Sequence, residues 1–131
     1  MEAWHQFLKL NGFEIVYLEG MSVADQVSLF SQCRVLMGLH GAALTNIIYM
    51  AKGMQVIELM HHKGMENGGY LDMFMSIALK KKLRFSRIEC ESFLSESEEL
   101  KIQAATGNFS SNLLPVKHCV NLEARILSLL D

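Results

Sequence analysis

Residues 34–59, RVLMGLHGAALTNIIYMAKGMQVIEL, contain two short apolar runs separated by a glycine-rich loop and a helical pattern. The first run, Arg34–Met37, stops at Gly38, and the helical pattern resumes after Gly41. The second run, Gln55–Leu59, follows a further glycine. Short apolar runs bounded by glycines are typical of buried strands. This stretch therefore predicts a strand, a glycine loop, a helix and a second strand.

The same alternation continues on both sides of this stretch. Helices are predicted over Glu2–Leu10, Ser22–Gln32, Tyr70–Lys82 and Asn121–Leu130, and strands over Phe13–Leu18, Leu83–Ile88 and Leu113–Val116. Asn11-Gly12 predicts a left-handed stop after the first helix, and Ser22 with Asp25 predicts an N-terminal cap of the second. Residues 91–118 are expected to be mostly irregular, with one helical piece over Glu98–Ala105, because Ser, Glu, Asn and Gly dominate their first part. Strands alternating with helices imply a parallel sheet covered on both faces. We therefore predict one α/β domain over residues 1–131, a three-layer Rossmann-like fold with four to five mostly parallel strands.

Composition and charge narrow the class of protein. With 131 residues and 50% hydrophobic content, the chain is long enough for one compact core. A net charge of -2 gives no field that would attract nucleic acid or an anionic membrane. The cysteines Cys33, Cys90 and Cys119 are widely spaced, which suggests neither a disulfide framework nor a zinc site. Because we see neither a signal peptide nor a membrane-spanning run, we expect a cytoplasmic chain without a membrane span.

The glycine loop after the predicted strand at residues 34–37 is a candidate phosphate site. Ligands of parallel sheets bind beyond the carboxyl ends of the strands, where loops meet helix N-termini. Gly38 and Gly41 would allow close backbone approach, and the following helix offers N–H groups to a phosphate. His40 can donate to a phosphate or a sugar hydroxyl, and Thr45 and Asn46 add donors one turn later. Spacing alone leaves packing an equal explanation, because the loop matches neither Gly-x-Gly-x-x-Gly nor a P-loop.

Four segments, in this order and spacing, extend the pattern beyond the loop: Gly12–Val16, Met21–Val27, Gly38–Asn46 and Val56–Leu59. Together they resemble the C-terminal region of glycosyltransferase family 61, and the resemblance is strongest over residues 12–59. This sequence departs from the family pattern in two mild ways. Ala43 stands where the family commonly has a third glycine, and Ala51-Lys52-Gly53 replaces a more typical Pro-Pro-Gly turn.

The resemblance implies the C-terminal half of an inverting, two-Rossmann-domain (GT-B) glycosyltransferase of polysaccharide or glycan synthesis. Such a domain would hold a nucleotide sugar, usually a UDP-sugar, as substrate, so no cofactor is expected. By carry-over, the donor-binding residues would be Gly38, His40, Gly41, Ala42, Leu44, Thr45, Asn46 and Glu58.

The acceptor-binding domain of that family, which would also supply the catalytic base, has no counterpart in the sequence. We therefore assign no catalytic residue and expect no catalysis by this chain alone, with the glycan acceptor bound by the missing domain. The alternative is a non-catalytic nucleotide-binding or protein-interaction module of the same fold. A domain without its partner would expose an apolar face, which predicts self-association into a homo-oligomer.

Glu58 is an unexpected residue inside the apolar strand Val-Ile-Glu-Leu. An unpaired carboxylate is costly in a buried strand, so it needs a partner. A ribose diol and a salt bridge are the two explanations, and the sequence leaves both open.

A metal site is not expected in the loop that follows. His61 and His62 are adjacent, with Glu66 nearby, but adjacent histidines point apart on an extended chain. No third ligand follows at a recognised spacing.

Overall fold

The computed structural model describes residues 2–39, 41–61, 72–92, 116–117 and 122–130. The elements in chain order are α1 (Glu2–Leu10), α2 (Val23–Ser31), β1 (Val35–Leu39), a 3-10 helix (Ala42–Tyr49), β2 (Gln55–His61), α3 (Met73–Lys80), β3 (Arg84–Ser92), β4 (Val116–Lys117) and α4 (Leu122–Leu129). The sheet has the order β1-β2-β3-β4, with the first three strands parallel and β4 antiparallel to β3. The predicted α/β class and mostly parallel four-stranded sheet are confirmed.

Apolar side chains pack on both faces of this sheet, since successive strand residues point to opposite faces. One core consists of Phe30, Leu44, Ile47, Met50, Val56, Phe74, Ala78 and Leu83. The other consists of Ile57, Leu59, Ile88, Leu122 and Ile126. The first core thus joins α2, the 3-10 helix and α3 to one face. The second joins α4 to the opposite face, where Phe7 of α1 also packs.

The helix ends follow the local signals in the sequence. Gly12 has a φ of +82° after α1, and the Phe13 N–H donates to the Leu8 carbonyl at 2.9 Å. This is the predicted left-handed stop, a conformation that glycine adopts without strain. At the start of α2, Ser22 Oγ accepts from the Asp25 N–H at 3.0 Å. The predicted N-cap is confirmed.

The predicted strand over Phe13–Leu18 is wrong, because these residues form no regular element. Leu18 packs against the first core, but Val16 and Tyr17 are 39% and 72% exposed. Strand propensity mainly reflects how well a side chain packs on a half-buried surface, and this segment lacks that surface. Within the described residues, β1 therefore has β2 as its one strand neighbour.

The helix predicted after Gly41 forms, but as a 3-10 helix rather than an α-helix. Three residues per turn place residues i and i+3 on one side. Leu44, Ile47 and Met50 follow this spacing and are all buried. This apolar spacing suits the tighter winding, because it places all three side chains in the first core.

β2 ends at His61 rather than at Leu59, and β1 and β3 also end later than predicted. β1 continues through Gly38 to Leu39, and β3 continues through Ser92, although residues 91–118 were expected to be mostly irregular. Pairing with β4 explains why β3 is longer than predicted, because Glu91 and Ser92 pair with the two residues of β4. The helical piece expected over Glu98–Ala105 lies outside the described residues. No helix in the part of the chain that the structure describes is long and apolar enough to cross a membrane.

Candidate functional site

The glycine loop lies at the carboxyl end of β1. The strand ends at Leu39, His40 is outside the described residues, and the 3-10 helix begins at Ala42. Gly41 is extended, with φ 171° and ψ 173°, and its carbonyl accepts from the Leu44 N–H at 3.0 Å. The chain therefore passes from the strand end directly into a helix N-terminus, the placement that ligand loops of parallel sheets have.

The predicted loop residues have different environments. Leu44 is buried in the first core, where a Cβ added at Gly38 would lie 3.5 Å from its Cδ2, an ordinary contact. Asn46 donates from Nδ2 to Gln26 Oε1 at 3.2 Å, which ties the 3-10 helix to α2. Thr45 is exposed. Leu44 and Asn46 thus hold the loop in place, and Thr45 is open to solvent.

A row of three residues crosses the sheet beside this loop. Gly38 of β1, Glu58 of β2 and Arg87 of β3 are in register. Glu58 is fully buried, and its Oε1 accepts from Arg87 Nε at 2.7 Å. Arg87 Nη1 also donates to Asp72 Oδ1 at 3.3 Å. The salt bridge explains how a carboxylate is accommodated inside β2, and the direct ribose contact stays a prediction.

Arg87 and Asp72 were not identified from the sequence. On β3, Arg87 lies between Ser86 and Ile88, and its guanidinium carbon lies 5.7 Å from the centroid of the Phe85 ring. Its relation to Glu58 depends on the register of two parallel strands, which a single sequence does not specify. Asp72 precedes α3 at the N-cap position, yet its side chain makes no capping hydrogen bond. Its carboxylate instead accepts from Arg87.

Metal and thiol chemistry receive no structural support in the described ranges. His61 ends β2, while His62 and Glu66 lie outside the described residues. Among the residues that the structure describes, no group of three His, Cys, Asp or Glu side chains could hold a metal ion. Burial raises the pKa of the Cys33 thiol, against a smaller opposite effect from a backbone hydrogen bond with Val35. Cys33 is therefore a neutral thiol at neutral pH.

Fold and loop together define an α/β protein with a glycine loop at the carboxyl edge of a parallel sheet. Residues 1–57 match the sequence model of the family described as Glycosyltransferase 61. The match includes α1, α2, β1, the whole glycine loop and the 3-10 helix, and it ends one residue before Glu58. No curated protein and no solved structure matches the chain.

Proposed function

We propose that this chain binds a nucleotide sugar, specifically a UDP-sugar, as the donor-binding part of an inverting glycosyltransferase in polysaccharide or glycan synthesis. The family match supports the transferase class, and a glycosyltransferase needs a sugar donor and an acceptor. The parallel sheet with apolar packing on both faces supports a three-layer, Rossmann-like donor domain of the GT-B type. The catalytic base is not assigned to any residue of this chain.

The observation that carries the proposal is the position of the family-matched loop at the carboxyl end of β1. The first hydrogen bond of the 3-10 helix runs from the Leu44 N–H to the Gly41 carbonyl. The N–H groups of Ala42 and Ala43 come before this bond, at the N-terminus of the helix. Such N–H groups bind phosphate oxygens well. They would stabilise the charge that develops on a departing diphosphate, the part of the reaction that a donor domain supplies.

Side chains would complete the donor site around these N–H groups. We assign His40 and Thr45 to hydrogen bonds with the diphosphate or the sugar, because imidazole and hydroxyl groups both donate to oxygen. Gly41 leaves the backbone accessible to the diphosphate, whereas Gly38 lies inside β1 and faces Leu44, so we assign it to the support of the loop. Two roles remain for the other residues of the predicted set. We assign Ala42 to the backbone contact with the phosphate, and we assign Leu44, Asn46 and Glu58 to the support of the site.

Calorimetric titration with UDP tests the proposal, with Gly41→Val as the decisive variant. The extended backbone of Gly41 is open to any residue, so we expect the variant to fold, while its branched side chain blocks phosphate approach. Gly38→Ala is the matched control, because its Cβ makes only an ordinary contact. We expect the wild type and Gly38→Ala to bind UDP and Gly41→Val to lose binding. Equal affinity in all three, or no binding by the wild type, would contradict the proposal.

Self-association through an exposed apolar face stays a prediction. Tyr17, Val23 and Leu79 are large apolar side chains that remain mostly exposed. Sedimentation velocity over a range of concentrations tests this prediction, and a monomer at every concentration would contradict it.

A further inference from the structure

The guanidinium of Arg87 has two carboxylate partners in very different environments. Glu58 is fully buried and accepts from Nε at 2.7 Å. Removing the guanidinium from this buried carboxylate is strongly unfavourable. The Arg87 side chain itself keeps 18% of its surface exposed. Glu58 therefore fixes the Nε side of the guanidinium, while Nη1 contacts the exposed carboxylate of Asp72.

The second partner is held much less firmly. The Asp72 side chain is 64% exposed and accepts from Nη1 at 3.3 Å, longer than a well-formed charge-assisted hydrogen bond. Exposed ion pairs of this kind contribute little to stability. Asp72 also makes no capping bond to α3, so the contact with Arg87 is the one side-chain interaction that it makes within the described residues. Glu58, the firmly held partner, thus contacts Nε, and Asp72, the weakly held partner, contacts Nη1 of the same guanidinium.

The contact with Asp72 places this guanidinium at the same edge of the sheet as the glycine loop. Asp72 begins α3, the helix that follows β2, and helices that follow parallel strands start at the carboxyl edge. Gly38, at the start of the loop, is in register with Arg87 two strands away, which is roughly 10 Å at the usual spacing of parallel strands. A nucleoside diphosphate is long enough to contact both the loop and the guanidinium.

We propose that Arg87 is a diphosphate-binding residue of the donor site, that Glu58 is its positioning residue, and that Asp72 competes with the phosphate for Nη1. This inference rests on the proposed function, because it names a further contact for the same donor. Arginine suits the role, since its planar fork matches phosphate oxygens and stays charged at any relevant pH. A diphosphate carries more negative charge than one carboxylate and displaces Asp72 toward solvent.

The test is UDP affinity measured by calorimetry in the full chain with Asp72→Asn. The amide removes the competing charge, so we expect UDP to bind about two- to fivefold more tightly, the range that an exposed ion pair allows. Glu123→Gln is the matched control. It removes one negative charge from α4, which packs on the opposite face of the sheet, and should leave UDP affinity unchanged.

Arg87→Lys is the complementary variant. It keeps the positive charge but loses the planar guanidinium, which can bind Glu58 and the phosphate at the same time. We expect UDP to bind about tenfold more weakly. Thermal melting accompanies each variant, and Asp72→Asn keeps the inference testable if Arg87→Lys fails to fold, since Asp72 is exposed.

The outcomes separate the two proposals. If Asp72→Asn binds UDP no more tightly than Glu123→Gln does, the inference about Arg87 is wrong, even when Gly41→Val abolishes binding and the proposed function stands. If the wild type binds no UDP, the proposed function and this inference both fail. A gain in Asp72→Asn that Glu123→Gln does not share supports the role of Arg87.

Discussion

The glycine loop after β1 and the ion pair between β2 and β3 lie on the same face of the sheet but are held by different forces. Leu44 secures the loop by apolar packing in the first core. Glu58 and Arg87 secure their part of the site by a short salt bridge to the buried Glu58 carboxylate. Packing energy falls in proportion to the volume removed, whereas a buried charge pair fails when either partner is lost. The two regions should therefore respond to mutation in different ways.

The largest effect is expected for Arg87→Met. The substitution leaves Glu58 buried without its guanidinium, which should lower the free energy of unfolding by about 3–5 kcal/mol. The double variant Glu58→Leu/Arg87→Met removes both charges and should recover stability to within about 1 kcal/mol of the wild type. Urea denaturation of the three proteins measures this. A single variant as stable as the wild type would show that the pair contributes little.

A smaller, graded effect is expected on the loop side. Leu44→Ala should lower the free energy of unfolding by about 2–3 kcal/mol, from lost burial and the cavity that remains. It should also weaken UDP binding, because Leu44 seats the N-terminus of the 3-10 helix. Ile48→Ala is the control in the same helix, since Ile48 is exposed and should change stability little. Equal losses in both variants would contradict the burial pattern that defines this helix.

The sequence predicted this fold well where local chemistry determines the structure. The stop at Gly12 and the cap at Ser22 formed as expected, because each depends on atoms a few residues apart. The strand over Phe13–Leu18 failed for the opposite reason. Its residues have strand propensity, but a strand also needs a neighbour, and no local signal supplies one.

The site shows the same division between local and non-local information. The glycine loop could be found because its residues are consecutive and match a family pattern. Arg87 could not, because its partner lies on another strand and the register between them is a tertiary property. Glu58 stood out only as an unexplained carboxylate, and the salt bridge answers the question that the sequence left open.

A moderate effect on affinity, without loss of stability, is expected for His40→Ala. One hydrogen bond from this side chain to a charged phosphate should contribute about 1–3 kcal/mol to UDP binding. The backbone N–H groups of the loop survive the substitution, so binding should weaken rather than disappear. Calorimetry with UDP measures the change, and Thr45→Ala tests the neighbouring hydroxyl in the same way. Unchanged affinity in both variants would exclude these side chains from the donor site.

The smallest effect is expected for the hydrogen bond between Asn46 and Gln26, and it distinguishes the two roles that Asn46 could have. The bond is neutral, 3.2 Å long and partly buried, so its loss should lower the free energy of unfolding by about 0.5–1.5 kcal/mol. If Asn46 only ties the 3-10 helix to α2, Asn46→Ala should weaken UDP binding no more than Gln26→Ala, which removes the same bond and also the bond from Gln26 Nε2 to the Met21 carbonyl. If Asn46 also contacts the donor, Asn46→Ala should weaken binding more than Gln26→Ala at equal stability. The double variant completes the cycle, and an interaction energy near zero would show that the two side chains are not coupled.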